Sequence, residues 1–176
     1  MLGKDELEFF GKTKTLGLFG DKKFPFKSGP KSSMARKEAL SHIKKLLVQI
    51  KPNKIYITPN RGLEELVIPL LSFLDVPYVI VNPYKGYFDG CSVESKVKLL
   101  VALENSKSVV TIAKRPKNIL EHEKSYKESL DFIYENSDVV ICVTGPEPSD
   151  TLKRIQKNFK SDDKIIVLNF VDYPGD

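Results

Sequence analysis

Hydrophobic and polar positions along the chain switch between two spacings. Apolar runs of strand length recur at TLGLFG (15–20), KIYIT (54–58), YVIVN (78–82), SVVTIA (108–113), DVVICVT (138–144) and KIIVLNF (164–170). Each is short enough and β-branched enough to be a buried strand rather than a helix. Between them the apolar residues return every three or four positions, as on one face of a helix. The first such face is Leu40, Ile43, Leu47 and Ile50, and the second is Leu63, Leu66, Val67, Leu70, Leu71 and Leu74. Val93, Val97, Leu100 and Val101 make a third, Tyr126, Leu130, Ile133 and Tyr134 a fourth, and Leu152, Ile155 and Phe159 a fifth. Strands that each feed a helix imply a parallel sheet covered on both faces, because right-handed crossovers lay the helices over it. The expected fold is α/β: a single-domain, three-layer, Rossmann-like sandwich with a mostly parallel sheet of about six strands. Pro69 falls inside the second helical segment, where it removes a hydrogen bond to the Glu65 carbonyl and predicts a kink or a late start.

Length and composition narrow this picture. A chain of 176 residues fits one domain, here residues 1–176 with 1–14 as an N-terminal extension, and 41% hydrophobic with 29% charged residues is ordinary globular composition. No apolar run reaches the roughly 18 to 20 residues that cross a bilayer, and MLGKDELEFFGKTK carries acids where a signal peptide is apolar. The expectation is a cytoplasmic protein with no membrane partner. Cys91 and Cys142 are the only cysteines, and Cys142 lies in VVICV, where a buried reduced thiol is expected. With His42 and His122 far apart in sequence, no zinc-ligand spacing is present, so neither a metal nor a cofactor is expected. The net charge of +5 is uneven: residues 1–60 hold 13 Lys/Arg against 5 Asp/Glu, and the remainder 15 against 18. A basic first third suits a polyanion, nucleic acid or nucleotide phosphate, and it also reads as lysines solvating helix faces.

In an open parallel sheet, ligands bind beyond the carboxyl ends of the strands, where loops enter helices. Five segments occupy those positions. GDKKFPFKSGPKSS follows the first strand and holds Gly20, Asp21 and Lys22. PNRG follows the second: Gly62 permits close backbone approach, Arg61 offers a planar fork for phosphate or carboxylate, and Glu64 and Glu65 open the next helix. The same residues also read as a tight turn with acids facing a helix dipole. NPYKGYFDGCS follows the third strand, where Tyr84 and Tyr87 can stack on a base and Lys85 can face phosphate, or the rings can cover the sheet edge. KRPKNILEH follows the fourth. TGPEPSDT follows the fifth, presenting Thr144, Gly145 and then Ser149, Asp150 and Thr151 as a phosphate-binding turn into a helix, with Asp150 better suited to sugar hydroxyls and either Ser149 or Asp150 able to act as N-cap. There is no GxGxxG and no GxxxxGK[ST], which disfavours hydride transfer and P-loop chemistry.

On these loops the chain resembles the SLOG superfamily, the Rossmann-like group that joins DNA-processing protein A and the LOG-type phosphoribohydrolases. LGLFGDKKF is similar to the family's first strand and its glycine signature, and ITPNRGLEELVIPLL to the second signature, in which an acid follows a glycine, here Gly62 and Glu64. VPYVIVNPYKGYF resembles a third strand ending in a proline and an aromatic, Pro83 and Tyr84. ENSDVVICVTGPEPSDTLKRI resembles the late segment, with Asp138, Gly145 and Thr151 at matching positions. The resemblance implies a small-molecule nucleotide or nucleotide-derived ligand across the strand ends, with phosphate near Gly145–Thr151 and Gly20–Lys23. The hydrolases' PGGxGTxxE is missing, so binding carries over and activity does not. The expected role is a sensor, sequestering or regulatory protein. The alternatives are an N-glycosidic-bond hydrolase or transferase acting on nucleoside monophosphates through Glu64 or Glu65, and single-stranded nucleic-acid binding through the basic first third. Exposed apolar helix faces can also support a homo-oligomer.

Overall fold

The six apolar runs pair side by side into one all-parallel sheet of order β4-β3-β2-β1-β5-β6. In chain order the elements are β1 (Thr15–Gly20), α1 (Pro30–Ile50), β2 (Lys54–Ile57), α2 (Leu63–Phe73), β3 (Tyr78–Tyr84), α3 (Val93–Asn105), β4 (Ser108–Ala113), α4 (Ile119–Glu135), β5 (Val139–Thr144) and β6 (Ile165–Asn169). A computed structural model describes residues 14–20, 30–60, 62–144, 153, 157 and 165–169. Lys153 and Lys157, between β5 and β6, are both helical, while Leu152, Ile155 and Phe159 of the expected fifth helical face lie outside the described residues.

The pleat sends alternate side chains of each strand to opposite faces, and two apolar clusters result. On one face Leu16, Leu18, Ile55, Ile57, Ile80 and Ile141 meet α1 and α2 through Ile43, Leu47, Leu63, Val67 and Leu71. On the other, Phe19, Tyr56, Val81 and Cys142 meet Tyr126, Leu130 and Ile133 of α4. The α/β sandwich expected from the alternation is therefore the fold observed, with α1, α2 and α3 on one face and α4 on the other. Gly17 sets how closely α4 approaches: a Cβ there would lie 2.7 Å from Ile133 Cγ2 and 2.8 Å from Ser137 Oγ. At the amino edge of the sheet, Asp138 accepts hydrogen bonds from the backbone N–H groups of Lys14 (2.8 Å) and Thr15 (2.7 Å), tying β1 to β5. Asp138 thus sits at the end of the strands opposite the expected crevice.

Three features depart from the sequence pattern. Helix α2 runs from Leu63 through Pro69 to Phe73 without interruption, since Pro69 lies on its exposed side, where the bond its ring removes is on the solvent face. The apolar stripe of α3 faces outward: Val93, Val97, Leu100 and Val101 are all exposed, and only Ala102 of this helix is buried. Strand β4 is the last strand on its side of the sheet and has no buried residue, unlike the fully buried strand that its apolar sequence suggests.

Candidate functional site

Strands β2, β3 and β4 fan out on one side of β1, and β5 and β6 on the other, so the order reverses between β1 and β5. At a reversal the outgoing loops diverge to opposite faces and leave a crevice between them. Gly20, the last residue of β1, pairs in register with Val143, which places Thr144 at the adjoining strand end. The turn after β2 enters α2 through Gly62, whose φ of 112° and ψ of −125° suit glycine alone, and no side chain caps the helix there. This geometry turns Leu63 and Glu64 inward beneath β1. The approach leaves no spare room, because a Cβ on Gly20 would lie 2.5 Å from Leu63 Cβ and 2.9 Å from Glu64 Oε2.

Glu64 is 1% exposed, and its Oε1 accepts hydrogen bonds from the Gly20 backbone N–H (3.1 Å) and from Thr58 Oγ1 (3.2 Å). Burial raises the carboxyl to about 7, against the lowering influence of the Gly20 and Glu64 N–H groups and of the Thr58 and Asn60 side chains. The carboxyl therefore joins β1, β2 and α2 in a single polar knot. It holds the Gly20 end in place and is closed to solvent. Its neighbour Glu65 turns the other way and pairs with Lys98 of α3 at 3.1 Å, and Glu65 ahead of Glu94 keeps that ammonium protonated above its ordinary range. The two glutamates that the sequence offers as a pair thus have separate roles, one buried in the knot and one in a surface ion pair.

Asn60, also buried, continues the network. Its Nδ2 donates to Tyr126 Oη of α4 at 2.7 Å, and its Oδ1 accepts from Tyr87 Oη in the loop after β3. Tyr87 belongs to an aromatic group with Tyr84 (centroids 5.2 Å apart, edge to face), and Tyr84 in turn meets His122 at 5.3 Å. These rings border a cleft of about 570 Å³ at the carboxyl ends of β3 and β4, flanked by Arg115, Lys117 and the α4 N-terminus. Asn118 caps that helix by accepting from Glu121 N–H (2.9 Å), while Glu121 Oε2 accepts from Lys117 N–H (2.7 Å). Arg115 and Asp89 form an exposed ion pair across the cleft at 3.1 Å. Partial burial lifts the Tyr84 hydroxyl above its ordinary value, with Arg115 opposing. Gly86, at φ 83°, turns this loop so that Asp89 N–H reaches its carbonyl at 3.0 Å.

A second hollow, about 430 Å³, lies between α2 and α3 over β3 and is lined by Ile68, Pro69, Tyr78, Leu99 and Ala102, with Asn60 and Cys91 also on its wall. Asn82, in the next-to-last turn of the pleat of β3, keeps a buried Oδ1 with no hydrogen-bond partner among the described residues. Cys142 is a free, buried thiol pushed up to about 12 by burial, which leaves it inert. Among the described residues no three His, Cys, Asp or Glu side chains group as metal ligands, and no helix is long and apolar enough to cross a membrane.

Of the residues singled out from sequence, Gly20, Gly62, Glu64 and Thr144 gather around the strand-order reversal, and Pro83 and Tyr84 stand at the end of β3 beside the aromatic cleft. Asp21, Lys22, Arg61, Gly145, Ser149, Asp150 and Thr151 lie outside the described residues. Sequence reasoning covered the segments that hold Thr58, Asn60, Arg115, His122 and Tyr126 and gave none of these residues a ligand-binding role. Thr58 ends the second strand run and Asn60 lies within PNRG, Arg115 and His122 lie within KRPKNILEH, and Tyr126 joins them because α4 crosses under the sheet. The chain matches no protein-family model and no curated protein.

Proposed function

We propose that this protein binds a nucleotide or nucleotide-derived ligand across the carboxyl ends of its parallel strands, as a sensor, sequestering or regulatory protein. The observation that carries the reading is the junction at which β1 and β5 end side by side at the strand-order reversal, with an aromatic, cation-flanked cleft two strands away. A planar base suits the Tyr84, Tyr87 and His122 rings, and an anionic group suits Arg115 and Lys117. The polar knot at Glu64 fixes the Gly20 end against which a sugar or phosphate would lie. The hydrolase alternative has weaker support, because Glu64 is closed off and Glu65 is engaged with Lys98. Nucleic-acid binding rests on exposed Arg36, Lys37, Lys44 and Lys45 along α1, which read equally as a solvated helix face.

A thermal-shift panel of nucleoside monophosphates, cyclic nucleotides and ADP-ribose-like compounds tests the reading. A ligand at 100 times its Kd adds about 2.7 kcal/mol, a rise in Tm of about 5 to 10 °C for a chain of this size. His122→Ala should weaken the base-bearing ligands and leave ribose 5-phosphate unaffected. A melting temperature unmoved by the whole panel sinks the proposal.

A further inference from the structure

At one lateral edge of the molecule, two kinds of unsatisfied surface coincide. The first is backbone: β4 ends the sheet, so among the described residues the N–H and C=O groups on its outer side have no strand to bond. Edge strands are usually guarded by charge or proline within the strand, and Ser108–Ala113 contains neither, with only Lys107 and Lys114 just outside it. The second is apolar side chain: Val93 and Leu100 of α3 are 80% and 63% exposed and lie off the hollow shared with α2, which Val97 and Val101 line. Val109 of β4 adds to them at 45%, and its register with Ile80 puts it on the face of the sheet that α3 covers. Val93, Leu100 and Val109 form an exposed apolar strip beside the open strand edge, and Val97 and Val101 continue it over the helix toward α2, the kind of surface that marks an association site.

We propose that this edge is a two-fold interface with a second copy of the same chain, in which β4 pairs antiparallel with its counterpart and α3 packs antiparallel on its own. Three features select a second copy over another occupant. One operation covers both surfaces. Helix α3 has 13 residues at about 1.5 Å and β4 has 6 at about 3.3 Å, so both span about 20 Å. The two elements are consecutive and run in opposite directions, which sets Leu100 near the level of Val110 and Thr111, and an axis through the one passes near the other. The charges match under the same axis. Lys96 and Glu104 lie four residues to either side of Leu100, and neither has an ion-pair partner among the described residues. A dyad at Leu100 brings each beside the other's counterpart. Finally, an interface built from a strand edge and one helix is self-complementary without any rearrangement of either.

Light scattering on the full chain, from below 1 µM to about 100 µM, should show a monomer converting to a dimer. Leu100→Asp should raise the dimer Kd about tenfold or more while the dilute protein keeps its circular dichroism and Tm, because the side chain is exposed in the monomer. Lys96→Glu alone and Glu104→Lys alone should each weaken the dimer, and the double reversal should recover it. A monomer at every concentration overturns the proposal, as does a dimer indifferent to Leu100→Asp. A double reversal no tighter than either single one overturns the two-fold arrangement of α3.

Discussion

Strands β4 and β5 are the same length and nearly the same in composition, SVVTIA against VVICVT, yet every residue of β5 is buried and none of β4 is. Nothing intrinsic to either segment explains this. β5 has β1 on one side and β6 on the other, whereas β4 has only β3. Helix α3, which lies on the same side of the sheet as α1 and α2, turns its valines and Leu100 away. Apolar β-branched sequence therefore specifies that a segment becomes a strand and leaves open how many neighbours it has. At the centre, that surface is used to bury the core. At the edge, it remains available.

The sharpest test of the contrast is a matched pair of truncations. Ile141→Ala in β5 removes fully buried carbons with no room to collapse and should cost about 4 kcal/mol in urea denaturation. Val109→Ala in β4, measured below the concentration at which the chain self-associates, should cost about 0.5 kcal/mol or less. A Val109 cost approaching that of Ile141 would mean that the edge is covered even in the monomer, and the comparison would fail.

How much of this was legible in the sequence follows from the same distinction. The six strands, the four helices from α1 to α4 and their alternation are local patterns, and all were readable. The inward faces of α1, α2 and α4 were readable too, because each of these helices packs over the central strands and turns its apolar stripe to them. The stripe of α3 was misleading, since periodicity shows that a helix has an apolar side without showing that the sheet is what it meets. At the candidate site, Gly20, Gly62 and Glu64 could be picked out as glycines and an acid at strand ends. Their joining into one hydrogen-bonded knot could not, because Gly20 and Glu64 are 44 residues apart and meet only through the β1–β2 register. The same holds for His122 and Tyr126, delivered by a helix that crosses to the other face.

Glu64 and Glu65 extend the centre-and-edge comparison to charge. A carboxyl whose folded value is about 7 against an ordinary 4.5 holds its proton more tightly when folded, so the unfolded chain binds fewer protons between those pH values. The contribution of Glu64 to stability is then complete below about pH 4.5, declines as pH rises through 7, and is lower by about 3 kcal/mol above it. Chemical denaturation at pH 5 and pH 8 should show this fall in the wild-type protein, and Glu64→Gln should flatten it. Glu65→Gln, which removes an exposed ion pair with Lys98, should leave the slope as it is. A wild-type profile with no such slope would show that the carboxyl is reached by water.

The smallest effect lies between the two regions. Tyr87 stands on the open aromatic cleft, and its hydroxyl reaches Asn60, which is buried beside the Glu64 knot. Tyr87→Phe keeps the ring and its edge-to-face contact with Tyr84 while leaving Asn60 Oδ1 without that donor. A buried acceptor deprived of one bond costs about 1 kcal/mol, and the loss should appear in the urea midpoint with the slope of the transition unchanged. Because the ring remains, base-bearing ligands should still bind Tyr87→Phe, whereas Tyr87→Ala should lose both the stability and the binding. If Tyr87→Phe costs nothing, the cleft and the knot are mechanically separate, and a ligand stacked on the rings would have no route through Asn60 to the end of β1.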